Sequence, residues 1–220
     1  MTENKKLILE IGPSGYGKTS SLRNMPLEKT VYIDTDRKGI KSFKNMDKFK
    51  DWIKLDYIDH LIPGLRVLES DDECEYVVID TLSFALDMFV AQKIDTATDT
   101  RAAWGLHKQW FNELMHIVKT SKKSYIFLTH PKDIYDEKSM TLKTQAYAQG
   151  SIFGQIEAHF AVVVYAHKYV DKSGQVKYGF LTNPTKDNLD ISAKTPFEMF
   201  DEQLVPDNDI MKIFEAIEAY

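Results

Sequence analysis

Cysteine is nearly absent from this 220-residue chain: Cys74 stands alone, so no disulfide can form within the chain, which suits a reducing compartment. Arginine is scarce too. Arg23, Arg37, Arg66 and Arg101 are the whole set, and no arginine follows residue 101, so nothing later in the chain can form an arginine clamp. No apolar stretch approaches the roughly 20 residues of a membrane span, and no signal-like apolar segment precedes the first strand pattern, so the expected location is cytoplasmic. The six histidines do not pair with cysteine or acids at ligand spacing, which argues against a metal centre built on them. Basic excess is missing as well. The net charge is −5, with seven acids and one lysine in residues 198–220; that segment carries −6 and leaves residues 1–197 at about +1. A near-neutral body of residues 1–197 followed by an acidic tail with a terminal helix is the expected organisation.

What is present begins with Gly12-Pro13-Ser14-Gly15-Tyr16-Gly17-Lys18-Thr19-Ser20. Gly, four residues, then Gly-Lys-Thr is the P-loop pattern. It follows the apolar run Leu7-Ile8-Leu9-Glu10-Ile11, and residues from Thr19 can open a helix. The glycines allow the backbone to curl so that successive N–H groups face phosphate oxygens. Lys18 reaches the β- and γ-phosphates, and the Thr19 hydroxyl sits on Mg²⁺. ATP and Mg²⁺ are therefore the expected cofactors.

Three further apolar runs end in polar residues. Thr30-Val31-Tyr32-Ile33-Asp34 leads into Thr35-Asp36; Glu75-Tyr76-Val77-Val78-Ile79 ends in Asp80; Ser124-Tyr125-Ile126-Phe127-Leu128 ends in Thr129-His130. An apolar strand ending in an acid, some 60 residues after a P-loop, is the Walker B arrangement, so Asp80 is the second Mg²⁺ residue. Between these runs, Ile40, Phe43, Met46, Phe49, Trp52 and Ile53 have helical spacing, and Pro63-Gly64 marks a break; short helices are expected over 40–73. Residues 82–94 and 102–122 read as helices. Residues 131–149 lack clean periodicity and read as a long functional loop. Asp171-Lys172-Ser173-Gly174 reads as the turn of a late hairpin, and residues 209–219 as a terminal helix. Strands alternating with helices give an α/β fold: a three-layer P-loop architecture with a mainly parallel sheet and a C-terminal antiparallel hairpin.

Over residues 5–195 the order of these parts resembles the RecA-like recombinase ATPases, and among them the compact phage members that support single-strand annealing. The resemblance implies an Mg²⁺-dependent ATPase acting with single-stranded DNA. It makes Asp36, where the family usually has Glu, the counterpart of the acid that polarises the attacking water. It makes His130 the sensor of the γ-phosphate, and residues 131–149 the DNA-binding loop, with Lys132, Tyr135, Lys138, Lys143 and Tyr147 as candidate contacts. Hydrolysis in this class is completed by a cation from a neighbouring subunit; with no late arginine, Lys186 or Lys194 fills that place. Self-association into a ring or filament, a single-strand-binding protein partner and, for a phage-encoded chain, the host cytoplasm follow from the same resemblance. Two alternatives stay open: a nucleotide-gated assembly protein without a DNA role, and a nucleotide or metabolite kinase.

Overall fold

In the computed structural model, residues 6–37, 41–137 and 140–220 are described. Six parallel strands form the centre of one sheet: β1 (Leu7–Ile11), β2 (Thr30–Asp34), β3 (Asp51–Lys54), β4 (Tyr76–Asp80), β5 (Ser124–Thr129) and β8 (Val162–Val170). β9 (Val176–Leu181) and β10 (Leu204–Pro206) extend it antiparallel, giving the order β10-β9-β8-β1-β5-β4-β2-β3. The central strands are buried on both faces, as near-continuous Val, Ile and Leu runs require. Alternate residues of β1 serve different layers. Leu7, Leu9 and Ile11 pack with α1 (Leu61–Leu68), α2 (Leu82–Phe89) and α3 (Thr100–Thr120); Ile8 packs with Leu22, Phe49 and α4 (Ile210–Ala219). This is the expected three-layer α/β P-loop fold with its late hairpin.

Register sets the site. Ile11 lies beside Thr129, Leu128 beside Asp80, and Asp80 beside Asp34, so the carboxyl ends of four strands form one edge. In open parallel sheets that edge is where ligands bind.

Four local expectations change. Residues 51–54 form β3, a strand paired in parallel with β2, where helical spacing suggested a helix; Ile40 of that pattern lies outside the described residues. Pro63 does not break the chain but sits in the first turn of α1, where its missing N–H has no intrahelical acceptor to lose. The segment after the P-loop is a six-residue 3₁₀ helix, Thr19–Asn24, ended by Met25-Pro26. Residues 131–149, read as irregular, contain the antiparallel pair β6 (Pro131–Asp136) and β7 (Thr141–Ala146). Thr144 ties that pair down: its N–H donates to Asp190 O at 2.7 Å and its hydroxyl lies 2.8 Å from Asp133 Oδ1.

The acidic C-terminal segment joins the same body. β10 closes the sheet, Asp209 caps α4 by accepting from Met211 N, and Ile210, Ile213 and Phe214 are buried in the second layer. Among the described residues no helix is long and apolar enough to cross a membrane.

Candidate nucleotide site

The loop after β1 starts with Gly12 N–H donating to Thr129 O at 3.1 Å, which ties it to β5. Gly15 (φ 76°) and Gly17 (φ 89°) then take the left-handed conformation that side chains resist. A Cβ on Gly17 would also stand 2.4 Å from the Asn208 amide nitrogen. Lys18 is only 7 % exposed and lies across the loop, its ammonium donating to Gly12 O (2.6 Å) and Pro13 O (3.1 Å). Thr19 Oγ1 donates to Asp80 Oδ2 at 2.6 Å, and Tyr32 OH donates to the same oxygen at 2.7 Å. The structure thus brings together the lysine, the hydroxyl and the acid that the sequence places 62 residues apart at its extremes, from Lys18 to Asp80.

A hydroxyl and a carboxylate side by side are hard oxygen donors of the kind Mg²⁺ takes, usually with substrate phosphate oxygens and water completing its shell. Thr19 and Asp80 fit that ion. Tyr32 holds the carboxylate in place; burial and the neighbouring Asp80 charge raise its pKa far above the ordinary tyrosine range, so it remains a proton donor.

Lys18, Thr19 and Asp80 line a cavity of about 450 Å³, within the range of small-molecule sites, together with Ser42, Thr81, His130 and Tyr178. His130 is tied into its wall. Its Nδ1 shares a 2.9 Å hydrogen bond with the Ser83 hydroxyl, which shares another of 2.9 Å with the Thr81 hydroxyl. The His130 carbonyl accepts from Tyr147 N–H at 2.9 Å, so this one residue touches both the cavity and the foot of the β6–β7 hairpin.

The other candidates stand elsewhere. Asp34 is committed to structure, accepting from Arg37 N–H (2.8 Å) and Trp52 Nε1–H (3.2 Å). Asp36, two residues on, is half-buried and does not form part of the cavity wall. Lys186 and Lys194 are exposed and away from it; the Lys194 backbone exchanges two hydrogen bonds with Val163. On the hairpin, Tyr135 is 57 % exposed and Lys143 exposed. Lys132 lies over the Phe153 ring (4.7 Å) and near the Tyr147 ring (5.6 Å), and the Tyr147 hydroxyl donates to Asp87. Lys138 lies outside the described residues.

Sequence reasoning passed over Tyr32, Ser83, Tyr178, Asn208 and Glu10. Glu10 is fully buried in β1. Its Oε2 accepts from Ser21 Oγ–H at 2.8 Å, and its Oε1 has no hydrogen-bond partner among the described residues. Burial, the largest influence, pushes its pKa up to about 8; the Ser21 hydrogen bond and the Lys18 charge act against it, and Asp80 adds to it.

A family model described as an AAA domain matches residues 4–190. Comparison with curated proteins returns no match. Among solved structures, the chain is similar to a KaiC-like protein from Pyrococcus horikoshii OT3, with 14% identity, a TM-score of 0.52 and coverage of 92% of this chain and 89% of that one. The RadB recombinase gives 14% identity, a TM-score of 0.48 and coverage of 82% and 89%.

Proposed function

We propose, from the premise that this chain belongs to the AAA domain family, that it is an Mg²⁺-dependent ATPase of RecA-like type that acts with single-stranded DNA in recombination or annealing of the phage kind. The observation that carries the reading is the joint position of His130, which stands in the cavity wall beside Asp80 and Thr81 while its carbonyl holds the hairpin. A nucleotide-dependent shift of this side chain has a short path to residues 131–149.

The P-loop N–H groups and Lys18 bind the phosphates and hold their charge. Thr19 and Asp80 would hold the divalent cation, which would supply further neutralisation of phosphate charge. Asp36, two residues past the end of β2, orients the attacking water, the role the resemblance gives it. Lys186 or Lys194 of a neighbouring copy supplies the last cation, which makes a ring or filament the active form. The hairpin offers Tyr135 to stack on bases, with Lys143 and Lys132 near the backbone; stacking needs little net positive charge. A single-strand-binding protein as partner, and host cytoplasm as location, belong to the same reading.

ATP hydrolysis measured with and without single-stranded DNA tests it. Several-fold stimulation is expected, with Tyr135→Ala losing most of the stimulation and keeping the basal rate. Turnover indifferent to DNA, with ATP-dependent self-association, favours instead the assembly reading, which the exposed Tyr135, Met140 and Leu142 side chains of the hairpin region also suit.

A further inference from the structure

One wall of the cavity is aromatic, and phosphate chemistry has no use for it. Tyr178 of β9 lines the cavity with Gly17 and Ser20 and is 38 % exposed. Its cross-strand partner on β8 is Lys168. The Lys168 ammonium lies 5.4 Å from the Tyr178 ring centre and 4.5 Å from that of Tyr16 in the P-loop. A cation between two rings attracts both faces, so Lys168 braces Tyr178 against the loop. The backbone adds two ties: Asn208 N–H donates to Tyr178 O at 3.1 Å, and Asn208 Nδ2 donates to Gly17 O at 2.9 Å. Tyr178 is therefore held in a fixed relation to the phosphate cradle. The P-loop backbone cradles the α- and β-phosphates, and a nucleoside must leave the cradle along its open side. Gly17, Ser20 and Tyr178 are all part of the cavity lining.

We propose that Tyr178, braced by Lys168 and Tyr16, is the wall on which the nucleobase stacks. The inference rests on the reading of the P-loop cavity as a nucleotide site and assigns the base-binding residue within it. Stacking on an aromatic face tolerates any base and scales with ring area, so it holds purines more firmly than pyrimidines.

The test compares two ligands on the full chain in Mg²⁺ buffer: ATP, and inorganic tripolyphosphate, which carries the phosphates without a base. Calorimetric titration of Tyr178→Ala should show ATP affinity lower by about tenfold, at the lower end of what losing a base stack costs. Tripolyphosphate affinity should be unchanged, which also shows that the variant keeps a folded cradle. Tyr178→Phe retains the ring and should bind ATP as the parent does. Three outcomes overturn the assignment: unchanged ATP affinity in Tyr178→Ala, equal losses for both ligands, or Tyr178→Phe as weak as Tyr178→Ala. A parent protein that binds neither ligand overturns the nucleotide reading itself, and with it the wall.

Discussion

Lys18→Ala is expected to abolish ATP turnover, by at least about 10²–10³-fold, while the protein stays folded. Both halves follow from the lysine's partners. Its ammonium donates to two backbone carbonyls of its own loop, Gly12 O and Pro13 O. Lys18 itself lines the cavity, so its removal opens space beside those carbonyls that water can enter to replace the lost donor. On the proposed reading the catalytic loss is large because the ammonium is already confined within the cavity assigned to the phosphates, and no reorganisation of solvent is needed when charge builds on the transferring group. Asp80→Ala is a poorer test of the same site. It strands the buried Tyr32 hydroxyl and the Thr19 hydroxyl together, so lost activity and lost stability would arrive as one effect. Steady-state hydrolysis and a thermal melt of Lys18→Ala, each with and without ATP, check the prediction. Near-normal turnover would mean that the phosphates lie elsewhere; a collapsed melting temperature would mean that Lys18 holds the loop together and not the ligand.

The parts legible in the sequence share a property: each is a local apolar run with a polar residue at its end. β1 with the P-loop, β4 with Asp80 and β5 with His130 all have this form, and register then does the assembly. The parts that were not legible depend on partners far away in sequence. β3 carries Trp52 and Ile53 in a spacing that also suits a helix, and only pairing with β2 decides the matter. The β6–β7 hairpin has no continuous apolar face; it is held by Asp190, Ser192 and Glu157, which lie beyond it. Asn208 meets Gly17 across 191 positions, and nothing near residue 208 announces it. Tyr178 looks like any aromatic in a strand until Lys168 and Tyr16 are placed beside it. Glu10 is a different case. A lone acid inside Leu-Ile-Leu-Glu-Ile, a strand buried from end to end, is a visible anomaly in the sequence itself.

That anomaly yields the second large expected effect, a stability that falls as pH rises. The carboxyl of Glu10 titrates at about 8 in the fold, against an ordinary value of 4.5. Between those limits the folded state binds the proton and the unfolded state has released it. The folded state therefore holds more protons, and raising the pH favours unfolding. The contribution is fully present below 4.5, is lost progressively as pH rises to about 8, and changes no further above that. At roughly 1.4 kcal/mol per unit, the whole swing is on the order of 3–5 kcal/mol. Glu10→Gln keeps the shape, can still bond the Ser21 hydroxyl and cannot ionise, so the parent's denaturant midpoint should fall relative to the variant's as pH rises through this range. Equal slopes in the two proteins would rule out Glu10 as the titrating group. The consequence for function runs through Lys18. While Glu10 is neutral, the charge of Lys18 is not cancelled from beneath and remains available to phosphate; once Glu10 ionises, it competes. ATP affinity should then weaken above about pH 8 in the parent and hold steady in Glu10→Gln.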